Sequence, residues 1–186
     1  MFVAVAPLLN SIGKAMTEYR RFQASGATWF FTVNLAERHD NRLLTDRIDL
    51  LRMAFSDVRK SHPFRIDAII VLPEHLHCIL TLPEGDTDFS TRWGLIKAYF
   101  SRHLASDERI SQSRQKRGER GIWQRRFWEH LIRDEQDYWR HVDYIHWNPV
   151  KHGWAATVKD WPHSSFHRYV KQGVYPENWG DRKSVV

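Results

Sequence analysis

Two apolar runs separated by only two residues constrain this chain more than any other feature. Residues 64–72 and residues 75–82 flank the dipeptide Pro73-Glu74. A link that short admits neither a helix nor a crossover, so it predicts a tight turn joining two antiparallel strands. The first run carries Ile66, Ala68, Ile69, Ile70, Val71 and Leu72, a mostly buried strand. In the second, side chains alternate: His75 and His77 emerge on one face, while Leu76, Cys78, Leu80 and Leu82 line the other. Slipping by one residue would turn the whole apolar set outward, so the register is well specified. Two imidazoles side by side on rigid sheet supply two-thirds of a divalent-metal site. The third donor has to come from elsewhere.

The rest of the chain supplies partners for that hairpin. Residues 28–35, rich in aromatic and β-branched side chains, read as a strand. After the polar stretch Arg38-His39-Asp40-Asn41-Arg42, residues 46–60 place Ile48, Leu51, Met53, Phe55 and Val58 at helical spacing and end at Ser61-His62-Pro63. Residues 89–104 suit a second amphipathic helix, with Phe89, Trp93, Ile96, Phe100 and Leu104 on one side. Residues 106–121, dense in arginine, read as a mobile loop, either a solvated linker or a DNA contact. Residues 121–132 read as the last strand. Asp134 is a natural N-cap, Glu135 and Asp137 favour a first helical turn, and a helix runs from there to about Asn148. Strand, helix, strand, strand, helix, strand, helix is the order of an α+β fold: a ferredoxin-like βαββαβ antiparallel sheet with an extra C-terminal helix. Helices cover one sheet face, which leaves the other for that extra helix.

The last helix has two stripes. Tyr138, Val142 and Ile145 form an apolar one that packs a helix onto a sheet. Beside it Asp137, His141, Tyr144 and Asn148 form a polar one. Tyr144 and Asn148 are one turn apart, so their side chains meet. With the helix docked on the open sheet face, Asn148 could give the third ligand through its amide oxygen, with Tyr144 poised beside the metal.

Totals bound the class of protein. The chain of 186 residues fits one compact domain. We draw it as residues 18–155, with a poorly ordered extension at 1–17 and a tail at 156–186; the start is Met1 or Met16. A net charge of +6 with a sequence pI of about 9.6 suits a polyanionic partner. Nine tryptophans exceed what such a core usually needs, and aromatic faces beside arginines hold unpaired bases. Cys78 is the one cysteine, which excludes an intrachain disulfide and fits a reducing cytoplasm. No apolar run reaches the roughly 20 residues that cross a bilayer.

His75-Leu76-His77, the run from Trp123 through Glu129-His130, and the run Val142-Asp143-Tyr144-Ile145-His146-Trp147-Asn148-Pro149 continuing to Gly153 together resemble the REP-associated tyrosine transposases. These form an insertion-sequence-200-like branch of the HUH endonucleases, and the resemblance extends from Glu18 to Trp179. It implies His75 and His77 as paired metal ligands, Tyr144 as nucleophile and Asn148 as the helix-borne third ligand. Two nitrogens plus oxygen ligands with open positions suit Mg²⁺ or Mn²⁺ in a phosphate-cleaving site, although that donor chemistry alone would equally permit zinc. Attack by Tyr144 would give a 5′-phosphotyrosine intermediate, and the resemblance implies a substrate of single-stranded repetitive extragenic palindromic hairpins in the bacterial nucleoid. Beside it, Glu129 and His130 are candidates to carry a proton or support the metal ligands. Arg125, Arg126, Lys151 and Arg168 are candidate phosphate contacts. A tyrosine in the same chain's site needs no partner subunit, whereas a swapped helix requires a dimer; the hairpin-like placement favours the monomer over the dimer. The rival reading is a catalytically silent palindrome-binding protein. An RNA-recognition sheet lacks its paired aromatics here, and a zinc hydrolase or deaminase lacks its motifs.

Overall fold

The computed structural model describes residues 25–105, 112–116, 118 and 120–181. The expected extension at 1–17 and the choice between Met1 and Met16 lie outside them, as does part of the arginine-rich segment.

Four strands, β1 (Thr28–Asn34), β2 (Arg65–Val71), β3 (His75–Thr81) and β4 (Trp128–Leu131), form one antiparallel sheet in the order β2-β3-β1-β4. The β2–β3 hairpin turns at Pro73-Glu74, and β3 then lies between β1 and β2. Seven register pairs join β1 to β3, among them Thr32↔His77 and Asn34↔His75. The connections are α1 (Leu43–Asp46), α2 (Ile48–Ser61), α3 (Phe89–Arg102) and α4 (Gln112–Gln115), followed after β4 by α5 (Glu135–Lys151) and α6 (Phe166–Lys171).

Period-two alternation splits the interior into two cores. Phe31, Val33, Leu76, Cys78 and Leu80 face α2 and α3, meeting Leu51, Phe55, Trp93 and Phe100. Phe30, Ala68, Ile70 and Ile79 face the other way and bury Val142 and Ile145 of α5, with Tyr138 packed beside them. His75 and His77 share this second face with Ile79, so α5 closes over them.

Three elements differ from the sequence reading. The last strand is short: Trp123 makes only an isolated bridge to Leu35, and pairing with β1 resumes at Trp128. Between them Arg125 and Arg126 are exposed, while Trp123 is drawn into the core of α2 and α3. Part of the polar stretch before residue 46 is helical, because Leu44 is fully buried and its N–H bonds to Pro73 O at 3.0 Å. Helix α5 also runs through Pro149 to Lys151. Proline there sacrifices one intrahelical bond, and the last turn carries on with His152 N–H donating to Asn148 O at 3.1 Å.

The segment drawn as a tail is folded onto the sheet. Val71 N–H donates to His163 O at 2.9 Å, and Ser165 N–H donates to Ile69 O at 2.8 Å. Residues 163–165 thereby cover the outer edge of β2, which would otherwise expose unpaired backbone. Ser165 Oγ also bonds to His146 Nε2 of α5 at 2.9 Å, tying this segment to the helix that covers the histidines.

Candidate active site

Strand alternation and cross-strand partners place the two histidines. His75 and His77 are buried at 3% and 4% exposure, with ring centroids 4.8 Å apart. Register pairs Thr32 with His77, and Thr32 Oγ shares a 2.8 Å hydrogen bond with His77 Nδ1. Glu74, in the turn, lies 2.9 Å from His75 Nδ1 and takes a second bond from Arg38 at 3.2 Å. Both Nδ1 atoms are therefore engaged, as they are in metal-ligating histidines that coordinate through Nε2. His77 Nε2 is buried and has no hydrogen-bond partner.

Burial favours the neutral form of both rings. Burial, then His75, His152 and Lys151, push the His77 pKa down to about 3. Burial also lowers that of His75, against the opposing pull of Glu74. Neutral imidazole is the form that binds a metal ion.

One stripe of α5 covers the pair. Tyr144 lies with its ring centroid 5.2 Å from that of His77, and His152 lies 5.8 Å from His75. Asn148 sits midway on the same stripe, one turn from each, and so stands over the two imidazoles. It is fully buried, yet neither Oδ1 nor Nδ2 has a hydrogen-bond partner. A buried amide in that condition costs about 1–3 kcal/mol. Two neutral imidazoles and an amide oxygen are a donor set that fits a divalent cation with further positions open to oxygen ligands. Tyr144 is 37% exposed, packs edge-on to Phe30 at 6.0 Å, and has Lys151 Nζ 5.0 Å from its ring centroid.

A second polar cluster lies toward the start of α5. Side-chain donor atoms of His130, Asp137 and His141 all fall within 4.8 Å of one another, so this group could also hold a metal ion. Its internal bonds are already strong. Asp137 Oδ2 accepts from His130 Nε2 at 2.8 Å and from Arg133 N–H at 3.1 Å. Burial opposes ionisation of Asp137, but these bonds outweigh it and hold the carboxyl well below the usual carboxylate range.

The remaining expected residues are dispersed. Lys151 is at the site. His130 faces the same side of the sheet but is tied to Asp137. Glu129 pairs with Phe31 and so points to the opposite face, away from His75 and His77. Arg125 lines a basic cavity along α3 with Lys97, Arg102, Arg114 and Arg120, and Arg126 is exposed nearby. Arg168 donates to the backbone carbonyls of Ile66 and Asp67 at the β2 edge. Glu74, Thr32 and His152 were not singled out by the sequence reading. Glu74 adjoins His75 in the chain and was open to notice, whereas Thr32 depends on register and His152 on helix docking.

No protein-family model matches the chain. Comparison with curated proteins is decisive: a REP-associated tyrosine transposase of Escherichia coli (strain K12) is 53% identical over 164 residues, 88% of this chain and 91% of the relative. The chain belongs to the REP-associated tyrosine transposases. A relative from Haemophilus influenzae with the same family description is 48% identical over 166 residues, covering 89% of this chain and 94% of its own. A solved REP-associated tyrosine transposase bound to a REP hairpin superposes with a TM-score of 0.75 at 52% identity, covering 88% of this chain and 91% of that one. For this transposase, then, the tyrosine beside the paired histidines acquires a chemical context.

Proposed function

We propose that the chain cleaves and rejoins one strand of repetitive extragenic palindromic hairpin DNA through a 5′-phosphotyrosine on Tyr144. His75, His77 and Asn148 would hold the divalent ion, Mg²⁺ or Mn²⁺. The observation that carries this reading is the contact between Tyr144 and His77 within one chain, over buried donor atoms that have no partner. The strand order, that of a split βαβ ferredoxin-like sheet, supports it.

The other described tyrosines are poorer nucleophiles. Burial and the hydrogen bond to Tyr169 raise the Tyr138 pKa, and burial with the Asp143 carboxylate raises that of Tyr175. Tyr169 is buried, and Tyr99 of α3 stacks on His103, away from the paired sheet histidines. Tyr144 combines exposure with a neighbouring cation.

A divalent ion held by His75, His77 and Asn148 would supply Lewis-acid polarisation of the scissile phosphate and offset its growing negative charge. Tyr144 Oη attacks phosphorus, the bond from phosphorus to the 3′ oxygen breaks, and the phenolic proton leaves. Lys151 offers its ammonium to the charge that develops on the phenol. The strand is then joined to Tyr144 through its 5′ phosphate, and the freed 3′ oxygen takes up a proton. Because the new link is still a phosphodiester, a 3′-OH reverses the reaction and rejoins DNA without a nucleotide cofactor. Thr32 and Glu74 hold the imidazole orientations throughout.

Nucleophile and donors lie in one chain, which supports a monomer as the working unit. Among the described residues no helix is long and apolar enough to cross a membrane. The one cysteine, Cys78, is buried and reduced, consistent with work on DNA in the cytoplasm.

Single-turnover cleavage of a palindromic single-stranded hairpin with Mn²⁺ tests this, wild type against Tyr144→Phe. A covalent protein–DNA adduct in the wild type alone is expected. Tight hairpin binding by the wild type with no adduct would instead establish a silent palindrome-binding protein.

A further inference from the structure

A cavity of about 340 Å³ opens on the β4 side of Tyr144, lined by Phe30, Thr32, Trp128, Arg140, His141 and Tyr144. The two sheet histidines lie on the other side of the tyrosine. Trp128 is 53% exposed although it stands on a strand, and its ring meets Phe30 edge-on at 5.6 Å. Behind it the rings are stacked in series, Trp128 on His130 at 5.9 Å and His130 on His141 at 4.7 Å. Asp137 fixes this wall, since His130 Nε2 bonds to its carboxylate at 2.8 Å and His141 Nδ1 donates to its backbone oxygen at 2.8 Å. Arg140 is exposed at the rim and makes no ion pair or hydrogen bond among the described residues.

We infer that this cavity is a nucleobase pocket, which takes the unpaired base next to the scissile phosphate while Arg140 contacts that nucleotide's phosphate. The inference rests on Tyr144 being the nucleophile. A rigid aromatic wall with an uncommitted cation at its rim matches a ligand with a planar apolar face and an attached anion. The volume lies at the small end of ligand pockets, enough for one base and its sugar. Base–aromatic stacking tolerates any sequence and works only on an unstacked base, so the pocket selects single strands at the cleavage position.

The test uses hairpin oligonucleotides with one abasic site moved through the positions flanking the scissile phosphate. They are assayed for adduct formation with wild type, Trp128→Ala, Trp128→Phe and Arg140→Ala. Trp128→Ala is expected to slow adduct formation about 5- to 150-fold, the range of a lost base stack, with Trp128→Phe retaining most of the rate. At one position the abasic substrate should lose as much as Trp128→Ala, and the two losses should not multiply. Arg140→Ala should weaken binding and lower the salt slope by about one. Wild-type rates in Trp128→Ala, or independent losses at every abasic position, would overturn the pocket.

Equilibrium binding of the same oligonucleotides to Tyr144→Phe separates the two readings. No adduct from the wild type would refute the role of Tyr144. A binding loss at one abasic position that disappears when Trp128→Ala is added would still support the pocket, and the absence of any such loss would refute it.

Discussion

Replacing Asn148 by leucine should stabilise the metal-free protein while removing its response to metal. Asn148 is 0% exposed and neither of its amide atoms is paired, a combination that a structural asparagine rarely shows. Leucine has nearly the same volume and carries no polar group to strand. Its gain is the desolvation penalty the amide now bears, about 1–3 kcal/mol. For a domain of this size that gain raises Tm by about 2–10 °C. Wild type should recover such a difference on binding Mn²⁺, because a ligand at a hundred times its Kd stabilises the folded state by about 2.7 kcal/mol. Asn148→Leu, lacking the third donor, should gain much less. Thermal unfolding of both proteins in EDTA and in Mn²⁺ would therefore place the variant above wild type without metal and close the gap with it. Destabilisation of Asn148→Leu in EDTA would show that the amide is satisfied in solution. Equal Mn²⁺ shifts in the two proteins would show that it is not a ligand. Either result refutes the reasoning.

Other perturbations have equally definite signs. Thr32→Val removes the hydroxyl that orients His77 at nearly constant volume, and should raise the Mn²⁺ concentration for half-maximal adduct formation about 10- to 100-fold; an unchanged metal titration would show that Thr32 has no such role. His146, fully buried and bonded to Ser165, has its pKa lowered from 6.5 to about 3 by burial and then by Arg168 and His167. Its folded form stays neutral while the unfolded chain takes up a proton, so its contribution is complete above pH 6.5 and is lost as pH falls toward 3. Urea unfolding between pH 7.5 and 5 should show a pH slope that His146→Asn reduces by up to about 1.4 kcal/mol per pH unit; identical slopes would contradict this. Asp137→Asn removes the buried carboxylate that holds His130 and Arg133, and should cost about 1.5–3 kcal/mol at pH 7 by urea unfolding. A cost below about 0.5 kcal/mol, the scale of an ordinary surface change, would argue against the pairing.

Local pattern carried a good deal of this molecule. Pro73-Glu74 dictated the hairpin because two residues leave the chain no other way back. Alternation along β3 put His75 and His77 opposite Leu76 and Cys78, and the 3.6-residue repeat in α5 put Val142 and Ile145 against the sheet with Tyr144 and Asn148 beside them. These properties follow from backbone geometry within one element, so they can be read from consecutive residues. Where the last strand pairs could not be read in that way. Trp123 and Trp128 look alike in the sequence, yet one is drawn into the core and the other is left exposed beside Tyr144. The same limit hid the path of residues 163–165 along β2, the meeting of His152 with His75, and the backbone carbonyls that occupy Arg168. Each depends on sheet register and on the docking of α5, which are chosen by the summed packing of two cores and the pairing of backbone groups far apart in the chain. Periodicity decides which way a side chain faces; only the tertiary structure decides what stands opposite.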